Sequence, residues 1–323
     1  MLGWLLFKNA DDIIKPEIYE VNRLVETAAR QGIDIRVLSP DQIDIIVFGE
    51  DRNSILVDEV PTSLPDFILP RMGSGTSYFA LAVIRHLERM GVYSVNSSHS
   101  IDNVKDKLYT LQILAESNLP IPKTILLKFP VDPKIVTRHL KFPVVVKTLS
   151  GTQGMGVFLS TSQNSFEDLM QLIHATNKSA NIILQEYIEL SEGRDLRVLV
   201  VGNKVVGAME RKAREGSFKA NCSIGGTAVK YQLTDEIATL AVTIARILNL
   251  DIAGIDLLFD RNGFKICEVN SAPGFEAMEK FCGLDIASEI IGFIREKNEM
   301  FKNNFFPYAI ERFEENMLTH ELK

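Results

Sequence analysis

The sequence predicts an α/β protein assembled from lobes, with a parallel βαβ lobe first, a small α+β lobe next and a mixed-sheet lobe last. Three observations carry this reading. Short apolar runs alternate with amphipathic stretches over the first hundred residues, a strand, glycine-rich turn and strand stand near the middle, and longer β runs follow. The 323 residues are 46% hydrophobic and 24% charged, which supplies a core without metals or disulfides and excludes disordered, collagenous and coiled-coil chains.

Leu2 to Phe7 is apolar and is cut short by Lys8 and Asp11, so it reads as a buried first strand rather than a secretory leader. Residues 16–31 carry Ile18, Val21, Leu24, Val25 and Ala28 at helical spacing, with Pro16 before them and Gly32 after. Ile33–Leu38, Ile43–Phe48 and Phe67–Leu69 are β-rich, Ser77–Met90 is helical, and Val92–Val95 is again strand-like. A single helix over Ser100–Ser117 then links this lobe to the next. Beyond Pro120 the expected order is strand 124–127, helix 133–140, strands 144–147 and 157–160, and helix 166–175. Strands at 182–188, 196–201 and 204–210, a helix at 234–248, a hairpin turning at 260–263 and a helix from Asp285 complete the chain. The corresponding domains are 1–97, 98–180 and 181–298, followed by a tail at 299–323 with no assigned role.

Charge and cysteine content narrow the function classes. Thirty-five basic against 42 acidic side chains give a net charge of −7, which argues against direct nucleic-acid binding and anionic membrane surfaces. No window approaches the ~18 apolar residues of a membrane span. Three cysteines, without a C-x-x-C pair, fit a reduced, cytoplasmic setting. The five histidines share no metal-ligand spacing, and no serine lies in G-x-S-x-G, which disfavours nucleophilic hydrolase chemistry.

Three stretches carry chemistry. Val144–Lys147, the turn Gly151-Thr152-Gln153-Gly154-Met155-Gly156 and Val157–Leu159 form a hairpin whose tip can offer backbone N–H groups to phosphate. A strand, not a helix, follows the glycines, so this is neither a P-loop nor a dinucleotide fingerprint; the plain alternative is a simple turn. Lys147 ends an apolar strand, where an ammonium is costly without an anion. In the second stretch, a three-residue loop Arg261–Gly263 would pair Asp260 with Phe264 and place Asp256 opposite Glu268. Asn270 would share that face, giving two carboxylates and an amide oxygen, a hard set suited to magnesium; a solvated polar face is the alternative. The third is basic, with Arg197, Arg211, Lys212, Arg214 and Lys219 followed by Asn221. Such a group clamps carboxylates or phosphates, although on edge strands it would face solvent. Between these stretches, the strand end Gln185-Glu186-Tyr187-Ile188 has backbone groups that could pair with an adenine edge, and Asp195 could accept from ribose hydroxyls.

Together these segments resemble the ATP-grasp ligases of the RimK type, the ribosomal-protein glutamate ligases and their relatives, over residues 1–297. The resemblance is carried by Lys107-Leu108, Val146-Lys147, Gly151–Val157, Gln185–Ile188, Gly193–Asp195, Lys219–Asn221, Gly225–Thr227, Ala253–Asp256 and Glu268–Gly274. It implies an ATP-grasp fold with the nucleotide between the central and C-terminal lobes. Lys107, Lys147, Lys219 and Asn221 would then face phosphates, Glu186–Ile188 the adenine and Asp195 the ribose. Asp256, Glu268 and Asn270 would hold magnesium or manganese, as two ions. Arg211, acting with Lys219 and Asn221, would steady an acyl phosphate or a substrate carboxylate. The implied reaction joins glutamate, or a similar amino acid, to an acidic carboxylate acceptor in a protein tail or a small molecule. The C-terminus of a ribosomal protein is one such acceptor. A ligase making a small glutamyl peptide or glutamylated cofactor and a non-catalytic ATP-binding module are the alternatives, and a homo-oligomer is compatible with each. Lys219-Ala220 stand where the ribosomal-protein ligases read Arg-Ser, and Ser271-Ala272 invert the usual Ala-Ser. The run Asn221–Gly226 is closer to relatives that make N-acylated glutamate peptides, so these departures bear on the acceptor and leave the nucleotide chemistry intact.

Overall fold

The computed structural model describes residues 1–7, 18–47, 55–149, 156–178, 180–214, 216, 218, 220 and 226–302. They form two compact units, one of residues 1–98 with 285 onward and the other from His99 to Leu284. In the first unit, β1 (Leu2–Leu6), α1 (Ile18–Arg30) and β2 (Asp34–Leu38) make the expected βαβ start. A small antiparallel sheet of β3 (Ile43–Ile45), β4 (Ile55–Val57) and β5 (Val60–Pro61) follows. Then come β6 (Phe67–Pro70), α2 (Tyr78–Arg89) and β7 (Tyr93–Ser94), and the parallel sheet runs β2-β1-β6-β7. Ser77 starts α2 by accepting from the Ala80 N–H at 3.1 Å, and Val21, Leu24 and Ala28 of α1 are buried, as their spacing dictates.

The second unit opens on a difference from the sequence reading. Instead of one linking helix there are two, α3 (Ser98–Lys105) and α4 (Lys107–Glu116). Asp106 separates them, with extended backbone and a carboxylate that accepts from the N–H groups of Leu108 at 2.9 Å and Tyr109 at 3.0 Å. A short acidic side chain at an N-cap satisfies donors that a continuous helix would tie to carbonyls behind them. Lys107 therefore begins a helix rather than lying inside one.

The smaller sheet of this unit is antiparallel, β10-β9-β11-β8, from β8 (Thr124–Leu127), β9 (Val144–Thr148), β10 (Val157–Ser160) and β11 (Ile182–Glu186). Its helices are α5 (Lys134–His139) and α6 (Gln163–Thr176), and Val144, Val146, Ile182 and Leu184 pack with Val136, Phe166 and Met170 of those helices. Strict alternation turns Val145 and Lys147 to the opposite face.

The larger sheet runs β14-β13-β12-β15-β16, from β12 (Arg194–Val201), β13 (Lys204–Lys212), β14 (Thr227–Lys230), β15 (Ile252–Asp260) and β16 (Gly263–Asn270). One face carries Leu196, Val198, Val200, Ile255, Leu257 and Ile266 beneath α7 (Asp235–Ile247), with Val104 and Leu114 in the same core. The other face is approached by the segment containing Pro273 and α8 (Glu276–Cys282). α9, over 286–302, is tied to the first unit by Asp285, which accepts from Arg23 at 3.0 Å, and by Lys302, which donates to Asp66 at 2.5 Å. The sequence reading carried the C-terminal lobe on to 298, whereas residues from 285 group with the N-terminal ones.

Gly254 marks how closely the chain approaches the second face, since a Cβ there would stand 2.5 Å from the Pro273 Cβ. Gly254→Ala is expected to destabilise the protein by ~1–3 kcal/mol through forced displacement of Pro273, read as a lowered urea midpoint with an unchanged slope. An unaltered midpoint would show that the segment yields freely.

Candidate active site

The hairpin of β15 and β16 places two expected residues opposite each other by a different route. Asp260 pairs with Gly263, leaving a two-residue loop, and Phe259 pairs with Phe264, so the expected three-residue loop is not formed. Gly263, at φ +106, sits where a side chain would be strained and begins the returning strand itself. The register then shifts between Asp256 and Leu257 because Cys267 is an extra residue in β16, and Asp256 faces Glu268 after all. Asn270 lies opposite Gly254 at the end of the strand.

Arg197 is opposite Asp256 across β12 and β15, and Asp195 is opposite Arg211 across β12 and β13. Residues 195 and 197 are two apart on one strand, so all four side chains share one face. Arg197 donates from Nε and Nη2 to both Asp256 oxygens, each at 2.7 Å. Arg211 forks onto Asp195 at 2.7 and 2.6 Å, and its Nη2 also reaches Asp256 Oδ2 at 2.9 Å. Arg211 is only 5% exposed, because β12 and β13 are interior strands and not the edges on which a basic cluster would meet water. Burial raises the Asp256 pKa, but the two guanidiniums outweigh it and hold the carboxyl at about 2. For Asp195, burial wins over Arg211 and pushes the carboxyl up. Arg211 itself is raised despite burial by its two aspartates.

Two lysines reach the neighbouring strand. Lys147, on β9 of the smaller sheet, donates from Nζ to the Cys267 Sγ at 3.6 Å, and Lys107, in the first turn of α4, lies 3.8 Å from Glu268 Oε1. Cations from two separate elements thus meet consecutive residues of β16, one strand from Asp256. Burial pushes the Cys267 thiol up, only partly offset by Lys147.

Comparison with known proteins decides the family. A RimK-like ATP-grasp domain model matches residues 104–294, and a RimK PreATP-grasp domain model matches residues 13–101. The chain belongs to the RimK-like ATP-grasp family. It is 35% identical over 290 residues to a probable α-L-glutamate ligase of Legionella pneumophila (strain Corby), covering 90% of this chain and 95% of that protein. It is 37% identical over 283 residues to probable α-L-glutamate ligase 1 of Shewanella amazonensis, covering 87% and 93%. Among solved structures it resembles the ATP-grasp ligase PsnB complexed with a phosphomimetic variant of minimal precursor, Mg and ADP, at a TM-score of 0.71 and 20% identity, covering 91% and 98%. D-alanine–D-alanine ligase from Bacillus anthracis complexed with ATP follows at 0.68 and 16%, covering 94% and 99%, and these two likenesses speak to the fold.

In this RimK-like chain, β11 ends at Glu186, whose N–H donates to the Lys123 carbonyl at 3.0 Å and whose Oε1 accepts from the Lys123 N–H at 2.9 Å. Lys265 of β16 also donates to Glu186 Oε1. Gln185 is buried and its Nε2 donates to Thr124 Oγ1 at 3.0 Å. Burial, with the Glu192 carboxylate, raises the Tyr187 phenol, and the Ile188 carbonyl accepts from the Ser191 N–H at 2.9 Å. Gly156 closes the glycine-rich turn at φ +76. Gly151, Thr152, Gln153, Gly154, Met155, Lys219 and Asn221 lie outside the described residues. A cavity of about 490 Å³ opens at the end of the β12–β13 hairpin, among Leu159, Glu192, Arg194, Lys212, Arg214 and Phe218.

The residues fit a hard divalent ion by donor chemistry. Asp256 accepts three guanidinium bonds and has about four lone-pair positions, leaving one on Oδ1. Glu268, whose Oε1 lies 3.8 Å from Lys107, is 39% exposed, and Asn270 adds an amide oxygen. Among the described residues, no group of three or more His, Cys, Asp and Glu forms a metal cluster, so the amide is needed to complete the set. The pairing of Arg197 with Asp256, the Cys267 bulge and Lys265 were missed by sequence reasoning; each depends on strand order or register, which only the lone Gly263 hinted at.

Asp256 lies at about 2 when folded, against 3.8 ordinarily. A depressed carboxyl contributes stability above its unfolded pKa and loses it as pH falls through the folded value, here about 2 kcal/mol lost between about pH 4 and 2. Asp195 contributes with the opposite sign. The unfolding free-energy gap between the unaltered protein and Asp256→Asn should therefore be widest near pH 6 and close toward pH 2. A gap independent of pH would refute the ion-pair account.

Proposed function

We propose that this chain is an ATP-dependent carboxylate–amine ligase that joins an acceptor carboxylate to the amino group of glutamate, releasing ADP and phosphate. The observation that carries it is the convergence of Lys107 and Lys147 on β16 beside the Asp256–Glu268 pair, in a chain that matches probable α-L-glutamate ligases over nearly its whole length.

A carboxylate does not react with an amine in water because its oxygen is a poor leaving group. Transfer of a phosphoryl group onto that oxygen makes a leaving group of phosphate, and attack by the amine on the acyl carbon then forms the amide. Magnesium, when bound, neutralises charge on the phosphoryl oxygens. Asp256, Glu268 and Asn270 would hold it, with Arg197 and Arg211 keeping Asp256 ionised and aimed. Lys107 and Lys147 bring positive charge to the phosphates from opposite elements. Glu186–Ile188 bind the adenine, and Asp195, which keeps one lone-pair direction on each oxygen beyond Arg211, takes the ribose hydroxyls. Exclusion of water falls to the glycine-rich run Gly151–Gly156 and phosphate binding to Lys219 and Asn221, as the family resemblance implies. The cavity with Arg194, Lys212 and Arg214 on its wall suits acidic substrates.

Asp256→Asn and Glu268→Ala are each expected to lower glutamate-dependent ADP release at least about hundredfold, while circular dichroism stays native. Near-normal turnover in either would remove that residue from the metal set. Incubating the protein with ATP, magnesium, glutamate and size-fractionated cell extract, followed by mass spectrometry, identifies the acceptor class. Glutamate-sized increments on a protein indicate a protein tail, and increments on small acids indicate peptide or cofactor synthesis. ATP binding without acceptor-dependent ADP would favour a binding module.

A further inference from the structure

The passage from the smaller to the larger sheet runs through residues 187–193, and it is fastened to the β15–β16 hairpin along its length. At its start, Glu186 Oε1 accepts from Lys265 Nζ of β16 while also holding the Lys123 N–H at 2.9 Å. In its middle, Ser191 Oγ accepts from the Phe259 N–H of β15 at 2.7 Å. At its end, the Arg194 guanidinium lies 3.8 Å over the Phe259 ring. Lys265 and Glu186 are 23% and 30% exposed, so the pair is neither buried machinery nor a loose surface contact.

We propose that Lys265 is a positioning residue that fixes the backbone of Glu186–Ile188 and thereby sets the preference for adenine over guanine nucleotides. The inference rests on the reading that this segment binds the base. A backbone N–H and C=O read adenine by donating to its ring nitrogen and accepting from its amino group, and guanine presents the reverse pattern. Discrimination of that kind depends on placement within about 0.5 Å. Lys265 acts through Glu186, whose carboxylate and N–H both engage Lys123, so the cation locks the strand end to the neighbouring sheet at one atom.

The test measures ATP and GTP binding to the full chain by calorimetry, together with KM and kcat, for Lys265→Met, Lys265→Arg and Ser191→Ala. Lys265→Met is expected to weaken ATP about tenfold, the loss of one charge-assisted bond. It should also reduce the ATP-to-GTP ratio about tenfold and leave kcat within about twofold. Lys265→Arg should restore most of the ratio, and Ser191→Ala, an independent tether, should shift it in the same direction. An unchanged ratio overturns the proposal, whether or not thermal stability falls, and so does equal weakening of both nucleotides. Binding without an acceptor reads the ratio even if no ligation occurs, so a failure of the ligase reading is distinguished from a failure of this one. Absence of ATP binding by the unaltered chain overturns both.

Discussion

Two aspartates and two arginines on one face of the larger sheet form a neutral, hydrogen-bonded row, and the organisation of the site follows from keeping that row intact. Asp195, Arg211, Arg197 and Asp256 are each opposite or two residues from a partner, so β13, β12 and β15 must be neighbours in that order. An uncompensated charge in this position would cost several kcal/mol. A row of alternating sign with forked geometry removes most of that penalty and leaves little freedom for any member to turn. Its value lies less in stability, since apolar side chains of similar volume could serve as well, than in holding Asp256 ionised and oriented beside Glu268.

The rest of the second unit presents groups to this row. The opposite face of the same sheet is apolar and rests on α7, which anchors the strands without competing for polar contacts. Lys147 comes from a second sheet whose own core lies on its far side, and Lys107 comes from a helix that begins only because Asp106 stops the one before it. Local capping, strand alternation and tertiary charge pairing are separate effects, and each aims one side chain.

Much of the architecture was legible in the amino-acid order. The βαβ start and the antiparallel hairpin around the glycine-rich turn follow from periodicity and turn residues, whereas Asp256 faces Glu268 through a shorter loop and a bulge that the turn residues did not signal. What was not legible depends on partners distant in sequence. Arg197 and Arg211 look like solvent-facing residues until β12 and β13 are known to be interior strands. The break at Asp106 was hidden because helical periodicity continues across it, and β14 and α8 are too short to give a pattern. Glu186's partner, Lys265, lies 79 residues away in another sheet, beyond the reach of any local rule.

The extra residue in β16 has a consequence for how this hairpin can change over time. Strand residues alternate between the polar face and the core, so the number of residues between the tip and Glu268 fixes which way that carboxylate points. The short loop and the bulge at Cys267 are two compensating departures from regular pairing, and either alone would turn Glu268 toward the apolar layer under α7. A single-residue insertion or deletion within β16 between Phe264 and Glu268 therefore turns the carboxylate to the wrong face unless the loop or the bulge changes with it, a parity rule that the hairpin imposes on its returning strand.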